Sequence, residues 1–358
     1  MIAGMREAGA FELPHGVDCL TLPAYAKGSD GTYRPRDLGE SLATLTAIRS
    51  GAILSAVEAF NPDLMIVDNV PRGAQRELDP VLKAQRRRRR TRIVLGLRDV
   101  IDRPSAVRAQ WLRQRNFEAM RDFYSEVWVY GDQIFYDTIG EYGLDGELGT
   151  KAQFVGYLDQ RARLNSPAAR PALDAILGED PRPYLLCSVG GGRDGADLCR
   201  AFVHAELPPG HRGIIVTGTQ MAHEIRAELR NLGKNRSELL VVEFVREPIA
   251  LMAGAAAIIA MGGYNTVCEV LSLERPALIV PRAAPRAEQA IRAERLAARG
   301  LIDMLPAEAL DPAALASWFR SPRLARHRAR DTLDFQGLRR IRERVDALLA
   351  PEPIALAV

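Results

Sequence analysis

The chain has 358 residues, 47% of them hydrophobic and 26% charged, enough for two domains that each bury a core. Its 48 Lys and Arg against 45 Asp and Glu leave a formal net charge of +3, far from the basic excess of a dedicated nucleic-acid binder, so no nucleic acid is expected as a partner. Cys19, Cys187, Cys199 and Cys268 are widely spaced with no C-x-x-C pair, which suggests neither a zinc site nor a disulfide framework and points to a reducing cytoplasm. The long uncharged run Pro248 to Cys268 is broken by Gly254, Gly262, Gly263 and Asn265, unlike a membrane span, and no secretory signal is expected.

Short β-branched runs alternate with helical patterns along most of the chain, the pattern of parallel sheets covered by crossover helices in an α/β protein. In the first half, strands are predicted at Asp18–Leu22, Asp63–Asp68, Arg92–Leu97, Glu126–Tyr130 and Ala152–Val155. Helices are predicted near Asp37–Ala59, Ser105–Phe123 and Gln133–Tyr142. In the second half, strands are predicted at Tyr184–Val189, Gly213–Thr217, Leu239–Glu243, Ala256–Met261 and Ala277–Pro281. The helices between them fall near Ala196–Ala205, Met221–Asn231, Ile249–Gly254, Thr266–Ser272 and Glu288–Arg299. The expected domains are therefore 1–156, a Pro-bearing linker at 157–183, 184–319, and tail helices over 320–358 that cross back to the first domain. One irregularity stands at the start: Met1–Ala3 runs at once into Gly4 and a loop, so the opening strand and glycine turn of a doubly wound half are expected to be missing and the first domain incomplete.

Three strand-to-helix corners in the second half carry chemistry. Gly190-Gly191-Gly192-Arg193-Asp194-Gly195 matches G-x-G-x-x-G, a turn that lets amides approach a phosphate at a helix start or, alternatively, only lets a helix pack closely on its sheet. The next strand brings no acidic residue for a ribose, which disfavours NAD. The second corner, Gly262-Gly263-Tyr264-Asn265-Thr266 with Glu269, offers another set of helix-start amides. There Glu269 either closes a capping box on Thr266 or accepts hydrogen bonds from paired ribose hydroxyls. The third, Arg282 to Glu288-Gln289, sets two arginines and two polar side chains at a strand's carboxyl end.

The run Met261 to Leu271, followed by Pro276 to Arg282 and Glu288-Gln289, resembles the C-terminal domain of family 28 glycosyltransferases, which have the two-domain GT-B fold. Gly190–Gly195 is similar to that domain's first loop. The runs Pro62–Asp68 and Val94–Asp99 look like a subgroup of predicted bacterial glycosyltransferases. The resemblance implies two Rossmann-like domains facing a cleft. It implies donor contacts from Glu269 to ribose, from the backbone around Phe244 and Val245 to the base, and from Gly262, Gly263, Tyr264, Asn265 and Thr266 to the diphosphate. Glu288 and Gln289 would meet the sugar, with Gly190, Gly191, Gly192 and Arg193 lining the cleft. His15, behind Pro14, does not inherit the family's N-domain histidine role.

The expected function is transfer of a sugar from a nucleotide diphosphate donor, a uridine diphosphate sugar, to an unidentified lipid-linked or small-molecule acceptor, inverting and without metal or further cofactor. A nucleotide-sugar binder or catalytically impaired product is the alternative, and an epimerase of similar fold a third. Asp68 and Asp99 are candidates for the base, Arg98 and Asp99 for acceptor contact. The run Arg86 to Arg90 is either a lipid-touching patch, for an enzyme peripheral to the inner face of the membrane, or a solvated loop.

Overall fold

The structure is a computed structural model that describes residues 1–4, 8–9, 13–28, 32–88, 90–146, 148–282, 284–321 and 327–351. The chain divides into two compact units, the first built on Gly16–Leu158 and the second on Asp159–Leu333. Where the sequence suggests a linker at 157–183 and a tail from 320, the units part at Leu158/Asp159 and again at Leu333/Asp334.

In the first unit, β1 (Ile2–Ala3) pairs in parallel with β2 (Leu20–Thr21), so the opening apolar run forms a strand outside the main sheet. A hairpin absent from the sequence reading follows, β3 (Tyr25–Lys27) against β4 (Tyr33–Pro35). The main sheet is four-stranded and parallel, in the order β5 (Leu64–Asp68), β6 (Arg92–Arg98), β7 (Glu126–Tyr130), β8 (Ala152–Phe154). Its helices differ from expectation in two places. The run predicted as one helix over Ser105–Phe123 breaks at Arg115, which takes φ 56° between Pro104–Gln114 and Asn116–Phe123. An additional helix, Asp79–Arg88, ends in the arginine run.

Helix Leu42–Phe60 is capped by Ser41, whose hydroxyl accepts from Thr44 N–H at 3.0 Å, and stops at Asn61 in the left-handed region. By length and composition it could cross a membrane. Its inward face nevertheless carries Arg49, buried against Glu77 at 3.1 Å and lying over the Tyr25 ring, beside a small core of Ile53, Val57, Leu22 and Val81. That is how a helix serves the interior of a folded unit, with a paired charge inside it.

The second unit holds six parallel strands: β9 (Tyr184–Ser188), β10 (Arg212–Val216), β11 (Leu239–Val242), β12 (Ala257–Ala260), β13 (Ala277–Ile279) and the short β14 (Asp303–Met304). Their spatial order is β11-β10-β9-β12-β13-β14, a doubly wound Rossmann arrangement. The middle strands are apolar on both faces because helices cover both, with Cys187, Ile215, Ile259 and Phe202 fully buried in one cluster. Each such side chain contributes about 1.5–3 kcal/mol on leaving water.

After the second unit the chain returns to the first. Helix Gly337–Leu349 lays Ile341, Val345 and Leu348 on Val94, Trp128 and Val155. Arg344 pairs with Glu126 there, and Arg340 donates to the Val155 carbonyl oxygen at 3.0 Å. The tail segments 322–326 and 352–358 lie outside the described residues, as do Arg89 of the arginine run and Ala283 of the third corner.

Candidate functional site

In the second sheet β9 and β12 are neighbours, yet the connection from β9 leads to β10 on one side and that from β12 to β13 on the other. Loops that diverge in this way leave a crevice beyond the carboxyl ends of the two strands, where open α/β sheets hold ligands.

The glycine loop after β9 is shaped by packing and open to solvent at once. Gly190 and Gly192 have φ of 62° and 92°, a region that strains other residues. A Cβ on Gly192 would run into the Thr217 carbonyl oxygen, and one on Gly195 into the Val189 side chain. These two glycines answer to close packing, Gly192 against the backbone after β10 and Gly195 against Val189. Gly190, Gly191 and Arg193 remain exposed and are free to meet a ligand.

After β12, helix Tyr264–Leu273 starts from Gly263, which as N-cap makes no side-chain cap. Its first amides are thus left for an anion or for solvent. Thr266 is the third residue inside this helix rather than its cap, so the capping-box reading of Glu269 fails. The two loops converge: the hydroxyl oxygen of Thr266 lies 3.9 Å from where a Cβ on Gly190 would stand.

Glu269 sits in the second turn, 9% exposed, and its carboxylate accepts from Arg163 Nη1 at 2.7 Å. The same guanidinium donates to Glu247 at 2.6 and 3.2 Å. Arg163 therefore ties Glu269 to the loop of Phe244 and Val245, within one side chain's reach of both. Burial pushes the Glu269 carboxyl above the ordinary glutamate range, outweighing the pull of Arg163. Nothing in the local sequence announces Arg163, because its two carboxylate partners lie 84 and 106 residues away.

At the third corner Arg282 gathers the pieces. It donates to Glu288 at 2.7 Å, stands 3.2 Å from Asp194 of the first loop, and donates its own backbone amide to the Gln289 side-chain oxygen at 3.3 Å. One oxygen of Glu288 is buried without a hydrogen-bond partner. Glu288 and Gln289 open helix Glu288–Ala298, whose buried face also carries Arg292.

The first unit's candidates separate. Asp99 is 1% exposed, and its carboxylate accepts from Tyr157 Oη at 2.8 Å and from the Val100 amide at 2.6 Å. A carboxylate enclosed in this way is placed to hold the fold together. Asp68 is largely exposed at the end of β5 and faces Arg98, at the end of β6, across 3.7 Å. Arg98 thus pairs with Asp68. The arginine run also changes character: Arg86, Arg88 and Arg90 stand 3.7, 2.9 and 3.9 Å from Asp122, Glu58 and Asp63. Among the described residues no three His, Cys, Asp or Glu side chains gather as metal ligands would.

Comparison with known proteins gives a family match within the second unit. Residues 186–331 match the glycosyltransferase family 28 C-terminal domain. Over 179 residues the chain is 32% identical to the UDP-N-acetylglucosamine–N-acetylmuramyl-(pentapeptide) pyrophosphoryl-undecaprenol N-acetylglucosamine transferase of Paenarthrobacter aurescens (strain TC1), covering 48% of this chain and 45% of that one. The chain thus spans under half the length of this curated relative. Among solved structures it is similar to the UDP-GlcNAc 2-epimerase from Neisseria meningitidis bound to UDP-GlcNAc, at TM-score 0.59 and 13% identity over 87% of this chain and 82% of that one. It is also similar to CalG4, the calicheamicin glycosyltransferase, at TM-score 0.54 and 17% identity over 93% and 87%. At such identities the likeness is one of fold, and that fold serves transferases and epimerases alike. The chain is an α/β protein with the fold of these structures, and residues 186–331, in its second unit, match the glycosyltransferase family 28 C-terminal domain.

Proposed function

We propose that the chain transfers a glycosyl group from a uridine diphosphate sugar to an acceptor hydroxyl. One observation carries this reading: at a single switch point two glycine corners converge, one of them opening a helix whose second turn bears the buried carboxylate of Glu269. Amides at a helix start suit a diphosphate, and a carboxylate within the same helix suits paired ribose hydroxyls. In this reading Gly190, Gly191, Gly192 and Arg193 flank the diphosphate and Gly262 to Thr266 bind it. The backbone at Phe244 and Val245 reads the base, and Glu288 with Gln289 holds the sugar.

The reaction breaks the bond from the anomeric carbon to the diphosphate oxygen and forms one to the acceptor oxygen from the opposite face, with inversion. Negative charge grows on the departing nucleoside diphosphate, and oriented amides with Arg193 stabilise it with little reorganisation and without a resident metal. Asp68, which stands 3.7 Å from Arg98, takes the acceptor proton. A lipid-linked or small-molecule glycan is the acceptor class. The lipid carrier in the name of the Paenarthrobacter relative supports the lipid-linked case, with the enzyme on the cytoplasmic face of a membrane.

Calorimetry with UDP and an assay for UDP release test the proposal. UDP binding, with UDP release from a UDP-sugar that needs an acceptor, is the expected result. Isomerised sugar without acceptor would reassign the chain as an epimerase, and binding with no product would leave a nucleotide-sugar binder.

A further inference from the structure

We infer that Arg292 is a positioning residue of the diphosphate corner: a buried permanent cation that sets the Gly262–Tyr264 backbone and biases it toward anions. This rests on the donor-site reading above. Arg292 is 0% exposed, on the inward face of helix Glu288–Ala298. Its Nη1 donates to the Gly262 carbonyl oxygen at 2.8 Å, and its guanidinium carbon lies 5.7 Å from the centroid of the Tyr264 ring. Gly262 itself rests on the start of that helix, since a Cβ there would stand 2.9 Å from the Gln289 carbonyl oxygen. The helix is thus the floor of the corner, with Arg292 on its inward face.

Two consequences follow from elementary chemistry. In a trans peptide the C=O and the next N–H point in opposite directions, so drawing the Gly262 carbonyl toward Arg292 turns the Gly263 amide away from the floor. Gly263 has no neighbour within 4 Å of where a Cβ would stand, so that amide belongs to an open part of the corner. A guanidinium also keeps its charge inside a protein, and burying it is costly unless the surroundings compensate. At a position where an aliphatic side chain would fill the face, a guanidinium under helix-start amides favours phosphate oxygens there more than a neutral side chain would.

The test is titration of the full-length protein and its R292M and R292K variants with uridine, UMP and UDP, alongside thermal unfolding. For R292M the expected result is UDP binding weakened about tenfold or more, UMP by less and uridine within about twofold, because one charge acts in proportion to the ligand's charge. R292K keeps the charge and recovers most of the UDP preference. Equal losses for uridine and UDP, or no loss for either, would reduce Arg292 to a packing residue and overturn the inference. Should R292M fail to fold, R292Q takes its place with the same criteria. A wild-type protein that binds neither UDP nor UMP would instead sink the donor-site reading itself.

Discussion

The two units end their parallel strands in different chemistry. In the second, the turns after β9 and β12 run through glycines and present backbone amides, with the flanking side chains locked into the Arg163 and Arg282 networks. In the first, the turns after β5 and β6 present side chains, Asp68 and Arg98 at the surface and Asp99 enclosed beneath them. Amides fixed by packing suit a diffuse, permanent charge such as a diphosphate. An exposed carboxylate suits a neutral hydroxyl with a proton to lose. In the proposed function the second unit's edge binds the donor and the first unit's edge accepts the proton.

The sharpest way to separate the edges is through turnover. Asp68→Asn is expected to lower kcat by about 10²–10⁴-fold, the usual worth of a positioned base, while UDP affinity and Tm stay unchanged; a kcat within threefold of wild type moves the base elsewhere. On the binding edge, Gly192→Ala forces a side chain into the Thr217 carbonyl at φ 92°. It should destabilise the protein by about 3 kcal/mol by thermal unfolding and abolish UDP binding. Gly263→Ala has room and should leave Tm in place while weakening UDP.

Glu269→Ala should weaken UDP about tenfold or more without unfolding the protein, since Arg163 retains Glu247. Unchanged UDP affinity with a lower Tm would make Glu269 a structural partner of Arg163 alone. Asp99→Asn should do the converse, lowering stability by about 1–3 kcal/mol through the Tyr157 and Val100 hydrogen bonds and leaving UDP binding intact.

The smallest effect is in pH. The Glu269 carboxyl titrates above its ordinary value of 4.5, so on acidification it takes up a proton before an exposed glutamate would and loses acceptor capacity for ribose. UDP affinity should therefore fall as pH drops from neutral, and Glu269→Gln should flatten that dependence. The sign for stability is opposite: the native state holds this proton more tightly than the unfolded chain, so the Glu269 contribution weakens as pH rises from the ordinary value through the raised one.

Local chemistry made much of the fold readable. Runs such as Leu185-Leu186-Cys187 and Ile258-Ile259-Ala260 are uniformly apolar because both faces of a parallel sheet are covered, and the glycines beyond them mark turns that only glycine fits. What stayed hidden depends on distance in the chain. The break at Arg115 needs a left-handed residue without glycine, and the hairpin of Tyr25–Lys27 with Tyr33–Pro35 has no apolar alternation to reveal it. The Thr266-x-x-Glu269 spacing imitated a capping box because the true helix start, two residues earlier, carries no capping side chain. Asp99 looked available because sequence does not show that Tyr157, 58 residues on, closes over it. Only Arg292 left a local trace, a charge on the stripe formed by Gln289, Ala293 and Leu296.

The central claim is that the β9 and β12 corners hold the donor diphosphate, and a crystal soaked with UDP tests it most directly. The account predicts phosphate density against the amides of Gly190–Gly191 and Gly263–Thr266, with the ribose hydroxyls on Glu269. UDP seated elsewhere, or absent at millimolar concentration, would contradict it.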